Sequence, residues 1–190
     1  MSPYAHPILP LLLDLETARD AMPDVAMPQL QAYPGGEERV DWHIKEGLDT
    51  FEQYFGMRPV GCWPSEGGVS AAALQKLEEH GFTWAASGES VFRHSQANKE
   101  NASLAGGSLY QGFTVAGGEL ACFFRDDGLS DLICFTYSDW HADDAVQNLI
   151  QHLENIAEAQ GVDPDAVVSI IMDGENAWEY YPYNGSYFLS

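Results

Sequence analysis

Blocks of apolar and polar positions change period along this chain, and the changes mark its elements. Residues 2–13 are apolar and broken by prolines, and Asp14 then reads as the cap of a short helix running to Met22. The tract from Ala26 to Glu38, which holds Pro28, Pro34, Gly35 and Gly36, predicts a loop. From Asp41 the spacing turns helical, because Ile44, Leu48, Phe51 and Phe55 recur on one face and Gly56 stands at a natural stop. Trp42 and His43 face either the site or the core, and the core is preferred. A short apolar run from Pro59 to Trp63 predicts a strand.

The segment Ser70 to Gly81 is the clearest helix, with Ser70 as cap, strong helix formers within and a terminal glycine. Phe82 to Ser87 then predicts a strand, which completes a strand, helix, strand unit of the kind that builds parallel sheets. Residues 88–118 are rich in Gly, Ser, Asn and Gln and read as a long loop. Leu120 to Phe124 predicts another strand. Beyond Trp140, a helix from about Ala142 to Gln160 carries Val146, Leu149, Ile150, Leu153 and Ile156 on one face. Gly161 ends it, and Val167 to Met172 predicts a last buried strand. The fold class is α/β with parallel strands.

Composition narrows the partners. The formal charge of −21, from 29 acidic and 8 basic residues, argues against nucleic acid, which is held through clustered Lys and Arg. Anionic membrane surfaces are disfavoured for the same reason, and no apolar run reaches the roughly 18 residues of a membrane span. Cys62, Cys122 and Cys134 are odd in number and lack Cys-x-x-Cys spacing, so they read as buried thiols rather than a disulfide framework or zinc ribbon.

Two strands run into carboxylates. Val60-Gly61-Cys62-Trp63-Pro64-Ser65-Glu66-Gly67 places Glu66 in a strand-to-helix loop, and Ile170-Ile171-Met172-Asp173-Gly174-Glu175 places Asp173 just beyond the last strand. Reacting groups collect at the carboxyl ends of parallel strands. Each stretch also has a plainer reading: Asp-Gly after a strand is often only a turn, and Ser65 or Glu66 can serve as a helix cap. Asp126, Asp127 and Asp131 crowd together and invite a metal, but their spacing is not that of an EF-hand loop. A structural and substrate-orienting role is preferred, with Arg125 paired to a nearby carboxylate. His6 has two readings, a sugar contact or a partly buried histidine bonded to backbone.

Four ordered stretches together resemble the catalytic domain of glycoside hydrolase family 57, closest to its amylopullulanase and α-amylase branch. They are Ser2-Pro3-Tyr4-Ala5-His6-Pro7-Ile8-Leu9-Pro10-Leu11-Leu12, Trp63-Pro64-Ser65-Glu66-Gly67, Phe124-Arg125-Asp126-Asp127-Gly128-Leu129-Ser130-Asp131-Leu132-Ile133, and Met172-Asp173-Gly174-Glu175-Asn176-Ala177-Trp178-Glu179. The resemblance implies a retaining α-glucan hydrolase with Glu66 as nucleophile and Asp173 as general acid/base. Substrate contacts are then expected from His6, Trp63, Arg125, Asp126, Asp127, Glu175 and Trp178. Asp127 departs from the pattern, since the family's closest members commonly carry His at that position.

The resemblance implies an irregular (β/α)7 barrel, of which residues 1–190 would be the central, incomplete portion, with further N- and C-terminal parts of the catalytic domain outside the chain. It implies no cofactor and no metal, and an α-glucan or maltooligosaccharide as substrate. No basic-then-apolar leader precedes the first motif, so a cytoplasmic location is the expectation. A 4-α-glucanotransferase or branching enzyme of the same family, or a non-catalytic carbohydrate-binding fragment, are the alternatives. A polysaccharide deacetylase would need paired histidines at helical spacing, and the six histidines offer none. In a retaining enzyme the two carboxyl groups stand about 5–5.5 Å apart, and in an inverting one about 6.5–9.5 Å.

Overall fold

The computed structural model describes residues 1–30, 32–97, 107–114, 117–161, 163–174 and 177–190, which fall into two compact units, Met1–Phe124 and Arg125–Ser190. The first unit holds helices α1 (Leu9–Leu13), α2 (Ala18–Ala21), α3 (Gly36–Phe55), α4 (Ala71–Glu79) and α5 (Glu89–Ala97) and a four-stranded sheet. Its strands are β1 (Gly61–Cys62), β2 (Trp84–Ser87), β3 (Phe113–Thr114) and β4 (Ala121–Phe124), ordered β1-β2-β4-β3. β1, β2 and β4 are parallel, and β3 joins β4 antiparallel.

Strand register explains where the core lies. Cys62 pairs with Ala85, Ala85 with Cys122 and Cys122 with Phe113, so these four share one face of the sheet. That face packs against Val40, Ile44 and Leu48 of α3, Leu74 and Leu77 of α4, and Phe92 of α5. Burying a side chain of the Leu or Ile kind contributes about 1.5–3 kcal/mol. Ile44, Leu48 and Leu77 are buried to within 1%.

The ends of α3 separate what the periodicity foresaw from what it missed. Gly56 does stop the helix, in the left-handed conformation. The start lies at Gly36 rather than Asp41, because Glu37 and Glu38 suit the positive end of a first turn. Phe51 is half-buried and Phe55 exposed, so the apolar stripe is covered only toward its N-terminal half. Trp42, assigned to the core, is instead 51% exposed and sets its ring edge-on to Tyr4 and His43.

Ser70 caps α4 as expected, its Oγ accepting the Ala73 N–H at 3.2 Å. The tract read as a long loop contains α5 and β3. Glu89 and Arg93 form an ion pair one turn apart, and Phe92 is buried against Phe113 and Phe124.

Asp41 ties α3 to α4, with Oδ1 at 3.0 Å from His80 Nε2 and 3.3 Å from Lys76 Nζ. The hydrogen bond from His80, and then that from Lys76, hold its carboxyl below the usual range, against the opposing effect of burial. A carboxyl depressed in the folded state adds stability above its unfolded pKa of about 3.9, and this is lost as pH falls through the lower folded value. Asp41→Asn should therefore lower stability by less than about 1 kcal/mol at pH 7, because the group is partly solvated. Denaturant melts of both proteins should converge as pH falls below the folded value, where the carboxyl is protonated in both states.

In the second unit, α6 (Asp127–Asp131) runs into a π-type turn, Leu132–Thr136, and a 3-10 turn, Tyr137–Asp139. α7 (Ala142–Gln160) has the bounds that its periodicity predicts, and α8 (Ser186–Leu189) packs beside it. Ile133, Tyr137, Ala145 and Tyr181 are buried here, with Ile170, Met172, Trp178 and Phe188 packed against them. Of the stripe assigned to α7, Ile150 is 49% exposed, and Val146, Leu149, Leu153 and Ile156 are half-buried.

The strand expected over 167–172 is reduced to one parallel bridge, Ser169 to Arg125. Its partner runs out, since α6 begins two residues past Arg125 and curls the backbone away from the ladder.

Cys62 and Cys122 are buried thiols whose pKa burial pushes up to about 12, and Cys134 is half-buried. No helix among the described residues is long and apolar enough to cross a membrane.

Candidate active site

Glu66 follows the carboxyl end of β1 in a tight turn, Ser65–Gly67. Its backbone is left-handed, at φ 56° and ψ 21°, and Gly67 follows at φ 65°. For a residue with a Cβ this conformation is unfavourable by about 1–2 kcal/mol, so the surrounding bonds must enforce it. They are specific. The Gly67 N–H donates to Pro64 O at 2.8 Å, the Gly68 N–H to Ser65 O at 3.0 Å, and the buried Ser87 Oγ–H at the end of β2 to Gly67 O at 2.6 Å. Trp63 is half-buried with its ring against Gly67, on the flank of the same turn. The result turns the Glu66 carboxylate outward, 77% exposed.

His6 meets it there. Its Nε2 lies 3.0 Å from Glu66 Oε1, and Ala5 and His6 are themselves left-handed, at φ 57° and 56°. The ring of His6 is exposed and bonds a carboxylate, so it is not the partly buried, backbone-bonded histidine of the plainer reading.

The loop carrying His6 is fastened to α3. The Tyr4 N–H donates to His43 O at 3.0 Å, and His43 Nδ1–H returns a bond to Tyr4 O at 2.7 Å. Gly47 makes this approach possible, since a Cβ there would lie 2.6 Å from Met1 Cε and 3.0 Å from Tyr4 N. Gly47→Ala should push the Tyr4 backbone away and loosen the loop that holds His6, and this crowding should cancel the roughly 0.5–1 kcal/mol that alanine otherwise adds in a helix interior, so thermal melts should show no gain in stability. Gly47 is the contributor that sequence reasoning missed, and His43, weighed there between site and core, holds the loop through its backbone carbonyl and its ring. The signal available was a glycine inside a strongly periodic helix.

The second unit holds the other acidic stretch. Arg125 is 17% exposed at its side chain; its Nη1 and Nη2 contact Asp127 Oδ1 and Asp131 Oδ1, each at 2.7 Å, and its Nε donates to Ile171 O at 2.9 Å. Asp126 is buried and caps α6, accepting the Leu129 N–H at 2.8 Å, while its own N–H donates to Ser169 O at 2.9 Å. The stretch therefore grips the segment that leads into Asp173.

Asp173 itself is exposed, just past the half-buried Met172. Its carboxylate is near enough to Cys134 to help raise that thiol's pKa, a shift caused first by burial and opposed by Arg125.

Trp178, expected as a sugar contact, is half-buried, with its ring 5.4 Å from that of Tyr181 and 6.0 Å from that of Phe188. Glu175 lies outside the described residues. A hollow of about 440 Å³ in this unit is lined by Trp140, His141, Tyr181 and Tyr187 among others, and Asp173 is not part of its wall. Among the described residues no group of three or more His, Cys, Asp or Glu is placed to hold a metal ion.

Comparison with solved structures gives 4-alpha-glucanotransferase from Thermococcus litoralis, with a TM-score of 0.54 at 22% identity over 80% of this chain. The match covers 20% of that protein, so the chain spans about a fifth of its length, and the likeness is one of fold. No curated protein matches. The model of glycosyl hydrolase family 57 matches residues 1–190, the whole of the sequence, and the chain belongs to that family.

Proposed function

We propose that the protein carrying this chain is a retaining glycoside hydrolase of α-glucans, of the amylase and amylopullulanase kind, with Glu66 as nucleophile and Asp173 as general acid/base. The observation that carries the reading is the Glu66 turn. An exposed carboxylate sits at the carboxyl end of a parallel strand, on a strained backbone, bonded to a histidine whose own backbone is equally strained. Strain of this kind collects at functional sites.

In the first step Glu66 attacks the anomeric carbon while the glycosidic C–O bond breaks, and Asp173 gives its proton to the departing oxygen. In the second, Asp173 takes a proton from water, which attacks the same carbon and frees Glu66, so configuration is retained. His6 donates to Glu66 in the resting site and is placed to bond a sugar hydroxyl beside it. The flank of Trp63 offers an apolar face to a ring.

We place the chain as part of an irregular (β/α)7 barrel, in keeping with its parallel strands and family. The free thiols suit a reducing, cytoplasmic compartment. A second reading, transfer of the glycosyl group to a sugar hydroxyl, draws on the glucanotransferase of similar fold. Product analysis of the full-length protein on maltooligosaccharides separates the two. Shorter oligomers alone support hydrolysis, longer ones support transfer, and no change in the oligomers overturns both.

A further inference from the structure

The backbone before Asp173 lacks the support that a sheet would give it. One parallel bridge at Ser169 replaces the expected ladder, and beyond it, among the described residues, two side-chain bonds fix residue 171. The Ile171 N–H donates to Ser130 Oγ at 3.2 Å, and Ile171 O accepts from Arg125 Nε at 2.9 Å. Ile170 and Met172, on either side, pack into the apolar cluster of the unit. Asp173 is the next residue along, exposed, so the direction in which it leaves the cluster is set at Ile171.

The Arg125 guanidinium is itself immobilised, because Asp127 and Asp131 take its two outer nitrogens at 2.7 Å each. A planar fork held on two sides by carboxylates presents its Nε–H in one direction only. A lysine ammonium in its place has no such fork to hold.

We propose that Arg125 is a positioning residue for Asp173, acting through the carbonyl of Ile171 rather than by touching substrate. This rests on the reading of Asp173 as the general acid/base. It gives the paired carboxylates of α6 a role that needs neither a metal nor a sugar: they aim the arginine.

The test compares two substrates in the full-length protein. A maltooligosaccharide has a poor leaving group and needs the acid, whereas α-maltosyl fluoride releases fluoride without protonation. Arg125→Lys and Arg125→Gln are expected to lower kcat/KM on the maltooligosaccharide by about 10²-fold, the scale of a misplaced catalytic group, and to leave kcat/KM on the fluoride near the parent value. Ser130→Ala, which removes only the other bond to Ile171, should show the same selectivity in weaker form, and it serves if the arginine variants do not fold. A merely structural loss would lower both substrates together. Equal loss on the two substrates, or loss on neither, overturns the proposal.

Asp173→Ala is measured in parallel. If it shows the leaving-group selectivity and the Arg125 and Ser130 variants do not, only the positioning role falls. If Asp173→Ala lacks the selectivity, the acid/base reading fails, and the proposal with it.

Discussion

Glu66→Gln in the full-length protein is expected to lower turnover of maltooligosaccharides by about 10⁴-fold or more, the scale on which covalent nucleophiles are lost. The amide keeps the shape of the side chain but cannot form the glycosyl ester. Activated substrates should not rescue it, because the missing group is the attacking atom and not the proton donor. Glu66→Gly adds a second readout. It removes the same carboxylate and also relieves the left-handed strain at φ 56°, worth about 1–2 kcal/mol, against about 0.5–1 kcal/mol of extra chain entropy. The glycine variant should therefore be inactive and as stable as the parent or slightly more so. That pairing would mark Glu66 as a residue kept at the expense of stability. Full activity in either variant removes Glu66 from the chemistry.

Asp173→Ala is expected to lower turnover of the same substrates by about 10²–10⁴-fold, the range for loss of a general acid/base. The loss should be smaller on an aryl glucoside with a good leaving group, where protonation matters less. Azide should partly restore the rate on that substrate, since a small anion can occupy the emptied space and attack the glycosyl ester without a base. A glycosyl azide of retained configuration, seen by NMR, is the expected product. Unchanged rates on the unactivated glucan, or azide rescue in Glu66→Gln instead, would contradict the assignment.

Much of the framework is written in the periodicity. α7 begins and ends where its apolar spacing predicts, α4 begins at its serine cap, and the strands ending near Cys62, Ser87 and Phe124 occupy the short apolar runs. Local chemistry decides all of these: caps, glycine stops and β-branched or aromatic runs act within a few residues. What sequence reasoning missed depends on distant partners. α5 lies in a largely polar tract, and its buried residue, Phe92, gains meaning from Phe113 and Phe124, more than 20 positions along the chain. The strand before Asp173 looked continuous because Val167 to Met172 is apolar, yet a ladder needs a partner, and the partner turns into α6 after Asp126.

The site divides in the same way. The motifs single out Glu66 and Asp173, and Arg125 pairs with nearby carboxylates as its neighbours suggest. The left-handed backbone of Glu66 could not be read, because nothing in Trp63-Pro64-Ser65-Glu66-Gly67 demands it without the bonds that the Pro64 and Ser65 carbonyls accept and that Ser87 donates. The bond of His6 to Glu66 spans 60 positions and rests on the seating of the N-terminal segment at Gly47. Likewise Arg125 reaches Ile171 across 46 positions, a contact invisible to any local pattern.

The most direct measurement is to incubate the full-length protein with a 5-fluoro-α-glycosyl fluoride, digest it and locate the adduct by mass spectrometry. An ester on the Glu66 side chain, formed in the parent and formed at a similar rate but longer-lived in Asp173→Ala, is the result expected of a double displacement through these two acids, since fluoride leaves without the acid and only hydrolysis of the ester needs the base. An adduct on another carboxylate, or none while substrate is turned over with inverted configuration, would contradict it.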